Sequence, residues 1–124
     1  VIFLQQCEEL LRNLNKVENT SAAVRRILLQ SADFPNISQV AESLHVSERT
    51  LRRRLNGEST SFRALTEEIK STLAQEYLLK TDITVSEIAH LLKYTEAVNF
   101  RQAFMRWQGV TPAQYRHSDD FSLG

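Results

Sequence analysis

Apolar residues recur along this chain at spacings of three and four, which is the period of amphipathic α-helices. Polar pairs three residues apart precede several of these stretches, such as Asn36 with Gln39 and Thr84 with Glu87, and this spacing is typical of a capping box at a helix start. Gly109 and the pair Asn56-Gly57 indicate helix ends. No stretch alternates convincingly between apolar and polar residues, so we predict an all-α fold of seven helices.

Part of this pattern occurs twice, since ISQVAESLHVSERTLRRRL at residues 37–55 returns as VSEIAHLLKYTEAVNFRQAF at residues 85–104. Matching residues lie 48 positions apart as far as Glu48, and 49 positions apart from Leu51 onwards. The second copy therefore has one extra residue in its turn. A short helix, a tight turn and a second helix make a helix-turn-helix, a motif that places its second helix in the major groove of DNA.

The repeat predicts two helix-turn-helix subdomains joined by a long linker helix. The predicted segments, in chain order, are an N-terminal helix at 1–18, the first subdomain at 19–60, the linker helix at 61–80, the second subdomain at 81–117 and a tail at 118–124. At 1.5 Å per residue the linker helix would be roughly 30 Å long. The apolar stripe of the N-terminal helix either packs on its own domain or contacts a missing domain or a second subunit, and both alternatives remain open.

Each predicted second helix has a face opposite its apolar stripe. In the first copy this face comprises Arg49, Arg52, Arg53 and Asn56. In the second copy, matched at the offset of 49, it comprises Val98, Arg101, Gln102 and Met105, with Ala97 and Asn99 at its edges. Arg can donate two hydrogen bonds to guanine, Asn and Gln pair with adenine, and small apolar side chains contact the thymine methyl group. Both faces are therefore suited to reading base edges.

Two further residues lie at the predicted starts of these helices. We predict Ser47 and Thr95 first as N-caps and second as phosphate contacts. The predicted DNA-binding residues are thus Ser47, Arg49, Arg52, Arg53, Asn56, Thr95, Ala97, Val98, Asn99, Arg101 and Gln102.

Net charge bears on the choice of partner, and here it is formally zero, which by itself argues against nucleic acid. Basic residues are nevertheless concentrated, because residues 49–57 contain four Arg and no acid, and residues 97–118 contain three Arg, one His and no acid. Phosphates are contacted by a surface and not by the average of a chain, so this distribution remains compatible with double-stranded DNA as the partner.

Other classes of function find little support in the composition. The three His residues and the single Cys7 have no metal-ligand spacing, and no paired carboxylates, Cys-His pair or Gly-rich loop supports an enzyme, so we predict no catalytic residue, metal or cofactor. The sequence shows neither an export signal nor an apolar run long enough to span a membrane. A single Cys cannot form an intramolecular disulfide, which fits the reducing cytoplasm. A helical adaptor that binds protein through residues 3–17 is the alternative to DNA binding. The chain begins with Val and its only Met is Met105, so we expect a fragment or processed product.

The stretches SERTLRRRLNGESTSFRALTEEIKSTLAQEYLL and VSEIAHLLKYTEAVNFRQAFMRWQGVTPAQYR resemble the C-terminal DNA-binding domain of the AraC/XylS family of bacterial transcription regulators. The likeness covers about residues 20–117, and its most specific part is the ending G-x-[ST]-P-x-x-[YF]-R at residues 109–116. The resemblance implies sequence-specific duplex binding, with two recognition helices at about 47–56 and 95–107 in successive major grooves. It implies base contacts by Arg49, Arg52, Arg53, Ala97, Val98, Asn99, Arg101 and Gln102.

The resemblance also implies partners beyond this module. Family members often carry a ligand-binding or dimerisation domain ahead of it, to which residues 1–18 would connect, and they act by contacting RNA polymerase. The chain departs from the family pattern at Lys93 and Tyr94, where Gly and Phe are usual, and at Gln102 and Met105, where Arg and Lys are frequent. A positive φ at Lys93 would be mildly strained. We expect a differently specific second half-site and the stronger grip from the first copy.

Overall fold

A computed structural model describes residues 19–31 and 33–123, with side chains as far as residue 117. The described residues form seven α-helices and no strand, which confirms the predicted all-α fold. In chain order the helices are α1 (Thr20–Gln30), α2 (Ile37–Ser43), α3 (Glu48–Gly57), α4 (Phe62–Lys80), α5 (Val85–Leu91), α6 (Ala97–Gln108) and α7 (Pro112–Leu123). The helix predicted at residues 2–17, and with it the adaptor surface, lies outside the described residues.

The chain divides into two compact units, one running up to Leu65 and the other beginning at Thr66. This division falls within α4, so its first four residues belong to the first unit and the rest of the helix to the second. The helix buries four apolar side chains, namely Leu65, Ile69, Ala74 and Leu78. Leu73 and Tyr77 of the same helix are only half-buried.

In the first unit α2 and α3 form the predicted helix-turn-helix, and each begins with a side-chain cap. Asn36 and Gln39 make the full capping box, because each side chain accepts the backbone N–H of the other at 2.9 Å. Ser47 Oγ accepts the backbone N–H of Thr50 at 3.1 Å, which confirms Ser47 as the N-cap of α3. The core of this unit includes Val24, Leu28, Val40, Ala41, Leu51 and Leu55.

The turns that follow α2 and α5 have the same geometry. Each turn places a residue other than glycine in the left-handed conformation, with φ of 59° at His45 and 67° at Lys93. The next N–H donates back into the helix, from Val46 to the carbonyl of Ala41 at 3.0 Å and from Tyr94 to that of Ala89 at 2.9 Å. These are Schellman motifs. The positive φ expected at Lys93 is thus confirmed.

The two helix-turn-helix motifs differ at the N-terminus of their second helix. The prediction that Thr95 caps the second recognition helix is wrong, because α6 starts at Ala97 and Glu96 occupies the N-cap position without a side-chain bond. The extra residue in this turn accounts for the difference. In the first copy the N-cap Ser47 follows Val46 directly, whereas in the second copy one residue stands between Tyr94 and the N-cap Glu96.

Two predicted helix ends also differ from the structure. The helix α3 continues through Gly57, and the left-handed residue of its terminal turn is Ser59, with φ of 61°. The segment predicted as a tail is helical, because α7 continues to Leu123. No Gly or Pro interrupts the sequence between Pro112 and that residue, so nothing local ends the helix earlier.

Candidate nucleic-acid interface

The first candidate reading face lies on α3. This helix is held in its unit by Leu51 and Leu55, which have no exposed surface. The side chains on its other side are exposed, and they are Arg49, Arg52, Arg53 and Asn56. Within the described part of the chain these four side chains form no hydrogen bond or ion pair. Three guanidinium groups and one amide are therefore available to an external partner.

A carboxylate directly after α3 fixes the end of this helix. Glu58 accepts the backbone N–H groups of Thr20 at 3.0 Å and Ser21 at 2.9 Å, at the N-terminus of α1. Burial acts to raise the pKa of Glu58, but the hydrogen bonds from Ser21 and Thr20 outweigh it, and the pKa lies below its usual value. Glu58 is therefore charged near neutral pH, opposite the positive end of the α1 dipole. No local sequence pattern predicts this contact, because its partners are 38 and 37 residues away.

The second candidate reading face lies on α6, whose other side carries an aromatic core. Phe100, Ala103 and Phe104 are buried, and the Phe104 ring meets the rings of Phe100 at 6.0 Å and Tyr115 at 5.4 Å. Trp107, predicted on the same side, is half-buried and 6.5 Å from Phe104. This packing fixes which side of α6 faces outward.

The outward side of α6 mixes polar and apolar groups. Asn99, Arg101 and Gln102 are exposed, and Ala97 is half-buried. Val98 and Met105 are 45% and 42% exposed, which is high for apolar side chains. Thr95 is also exposed but lies before the helix, in the turn. Every predicted site residue except Ala97 is thus exposed, on α3, on α6 or just before these helices.

The basic residues around the second face have partners that the sequence did not predict. Arg106 Nη2 lies 3.8 Å from a carboxylate oxygen of Glu67. Arg116 donates from Nε to the carbonyl of Leu78 at 3.0 Å, and from Nη2 to those of Tyr77 and Thr81 at 3.3 and 3.2 Å. Arg116 therefore satisfies carbonyls at the C-terminal end of α4.

The turn before α6 contains Tyr94, whose ring contacts neighbouring side chains. Its ring lies 5.6 Å from that of Phe100, and the ammonium of Lys70 lies 4.6 Å from the ring centre. Burial lowers the pKa of Lys70, with a smaller opposing effect of Glu67. Burial and then the charge of Glu67 raise the pKa of Tyr94, against a smaller effect of Arg106. The ring therefore remains a neutral phenol that packs the turn against the start of α6.

Among the side chains of residues 19–31 and 33–117, no three His, Cys, Asp or Glu groups lie together so that they could hold a metal ion. Over the same ranges, none of the helices combines the length and the apolar character that crossing a bilayer requires.

A family model described as a helix-turn-helix domain matches residues 40–118. The ornithine utilization regulator of Pseudomonas aeruginosa is 41% identical over 115 residues, which cover 92% of this chain and 34% of that protein. The chain belongs to the AraC-type helix-turn-helix family of transcription regulators, as the sequence resemblance indicated. It spans about a third of the length of the first curated relatives it matches.

Solved structures agree with this assignment. The transcriptional regulator CdpR from Pseudomonas aeruginosa is similar with a TM-score of 0.71 and 34% identity, over 77% of this chain and 30% of that one. The DNA-binding domain of AdpA, a global transcriptional factor solved in complex with a target DNA, is similar with a TM-score of 0.68 and 26% identity, over 81% of this chain and 92% of that one. The chain is a sequence-specific DNA-binding domain of a transcription regulator.

Proposed function

We propose that this domain binds an asymmetric duplex site by inserting α3 and α6 into successive major grooves. The observation that carries the proposal is that the two copies share four matching buried positions while each presents an exposed face on its second helix. A recognition helix needs both properties, since one side fixes it in the domain and the other contacts base edges. The proposal gives the domain no catalytic step.

On the first face, Arg49, Arg52 and Arg53 donate to guanine O6 and N7, and Asn56 pairs with adenine. Ser47 adds a phosphate contact at the N-terminus of α3, beyond its role as a cap. The assignment of this face to base reading is supported by three arginines that have no partner among the described residues. It supplies the larger share of the affinity.

On the second face, Asn99 and Gln102 suit adenine and Arg101 suits guanine. Thr95 is exposed in the turn and contributes a phosphate contact there. Arg101 is without a hydrogen bond or ion pair in the described part of the chain, whereas Arg106 and Arg116 are engaged within their unit. Because the second face has fewer free cations than the first, it contributes less to the affinity for the duplex.

We further propose two partners of the whole regulator. A ligand-binding or dimerisation domain accompanies this module, a proposal supported by relatives of which the chain covers only about a third. RNA polymerase is the second partner, supported by the membership of a family of transcription regulators. Both proposed partners concern the whole regulator, and neither takes part in the contacts between this domain and the duplex.

Selection of bound duplexes from a random pool tests the proposal directly. We expect two preferred blocks whose centres are about 10 base pairs apart, the spacing of successive major grooves on one side of the duplex. A single block, or no preference, would contradict it.

Replacing Arg49, Arg52 and Arg53 together by Ala should then weaken binding to the selected site and relax base preference in one block only. Each arginine that reads a base is worth about 1 to 3 kcal/mol, so the triple variant should lose at least a hundredfold in affinity. Arg54→Ala is the matched control, because Arg54 is an exposed arginine of the same helix outside the reading face. Unchanged affinity and preference in the triple variant would overturn the assignment of α3.

A further inference from the structure

The reading faces of the two copies differ most at their ends. At the offset of 49, Arg101 and Gln102 of α6 match Arg52 and Arg53 of α3, so the middle of the face is polar in both copies. Its two outer positions change character, because Val98 stands where the first copy has Arg49 and Met105 where it has Asn56.

Both apolar side chains remain in contact with solvent. Val98 is 45% exposed and Met105 is 42% exposed, although Phe100, Ala103 and Phe104 on the same helix are buried. The helix therefore has core positions for its apolar residues and still carries two more on its outer side. An exposed apolar side chain gains free energy when a partner removes it from water, so these two residues indicate apolar groups on the partner.

The duplex offers one such group in the major groove. Thymine presents a 5-methyl group there, whereas the other three bases present only hydrogen-bond donors and acceptors or ring edges. From the exposed apolar ends of the α6 face we infer that this copy reads thymine methyl groups through Val98 and Met105, with hydrogen bonds from Arg101 and Gln102 between them. The inference rests on the proposed placement of α6 in the major groove.

The spacing along the helix gives the expected pattern in the DNA. Seven residues at 1.5 Å each separate the two side chains by roughly 10.5 Å along the α6 axis. Base pairs are about 3.4 Å apart along the duplex, so the two thymines lie about three base pairs from each other. The second block of the selected site should contain this pair.

Deoxyuridine provides the test, because it pairs as thymine does and lacks only the methyl group. Each thymine of the second block is replaced in turn, and the affinity is measured by fluorescence anisotropy with the unmodified duplex as reference. Burial of one methyl-sized group corresponds to about a fourfold change in affinity, so we expect about a fourfold loss at each of two positions and no loss at the other thymines.

Two variants assign the positions to side chains. Val98→Asn replaces both methyl groups of the side chain by an amide of similar size, and it should no longer distinguish thymine from deoxyuridine at one position. Met105→Gln should do the same at the other position. Leu79→Gln is the control, since Leu79 is 40% exposed on α4, and its variant should retain discrimination at both positions.

The outcomes separate this inference from the proposed function. Tight, sequence-specific binding that is indifferent to every deoxyuridine, or a second block without thymine, would overturn methyl reading and leave duplex recognition intact. Discrimination that survives in Val98→Asn and Met105→Gln would overturn the assignment to these side chains. Absence of any preferred duplex would overturn the proposed function and this inference with it.

Discussion

Left-handed residues other than glycine end three of the described helices, at His45, Ser59 and Lys93. The left-handed conformation costs such a residue roughly 1 to 2 kcal/mol, so each turn must be held by other interactions. Two backbone hydrogen bonds close each turn, for example from Lys93 to the carbonyl of His90 and from Tyr94 to that of Ala89. The helix-turn-helix geometry is therefore imposed by hydrogen bonding and packing, and glycine is not required for it.

The two glycines with described surroundings should respond oppositely to alanine. Gly57 lies within α3 and Gly109 has φ of 76°, and a Cβ at either position would meet nothing within 4 Å. Gly57→Ala should raise the free energy of unfolding by about 0.5 to 1 kcal/mol, because alanine loses less backbone entropy in a helix. Gly109→Ala should lower it by about 1 to 2 kcal/mol, because its backbone conformation is left-handed. Urea unfolding measures both, and changes of the same sign would contradict the explanation.

At the scale of elements, each unit contains a contact between two helices that are far apart in sequence. Glu58 joins the end of α3 to the start of α1, and Arg116 joins α7 to the end of α4. Both contacts supply a charged side chain to unsatisfied backbone groups at a helix terminus. Helix ends, and not only apolar faces, thus hold each unit together.

The Glu58 contact makes stability depend on pH in a defined direction. Because the pKa of Glu58 in the folded state is lowered from 4.5, its carboxylate stabilises the fold above that pH, and the contribution is lost as the pH falls through the lowered value. Glu58→Gln should reduce the free energy of unfolding by about 0.5 to 1 kcal/mol at pH 7, and the difference from the unsubstituted chain should shrink towards zero at low pH. Urea unfolding at a series of pH values measures it.

The control for this substitution is Glu42→Gln. Glu42 is an exposed carboxylate on α2 whose side chain forms no hydrogen bond or ion pair within the described residues. Its replacement should cause no loss of stability at pH 7. A Glu58→Gln difference that stays constant down to low pH would show that the charge of this carboxylate contributes nothing.

The sequence predicted what neighbouring residues determine. Helix periodicity, the Asn36 cap and the outward sides of α3 and α6 all follow from spacings of three and four, and the structure agrees with them. The Glu58 and Arg116 contacts were not predictable, because each joins residues more than 30 positions apart. Thr95 was misassigned because a cap depends on where the turn ends, and one inserted residue moved that point to Glu96.

At the scale of the whole chain, zero net charge conceals an uneven distribution of free cations. The face on α3 has three arginines without partners among the described residues, and the face on α6 has one. The charge that meets DNA is therefore local, and long-range attraction from the net charge is absent. Affinity should come from counterion release at the interface.

This asymmetry predicts different salt dependences for the two half-sites. Each charge that is neutralised at the duplex contributes about −0.9 to the slope of log affinity against log salt concentration. Duplexes in which one block is scrambled isolate the other block, and because α3 brings more free arginines to the duplex than α6, the slope with only the first block should be the steeper of the two. Arg101→Ala should flatten the second slope and leave the first unchanged. Equal slopes for the two duplexes would contradict the assignment of the stronger, more electrostatic grip to α3.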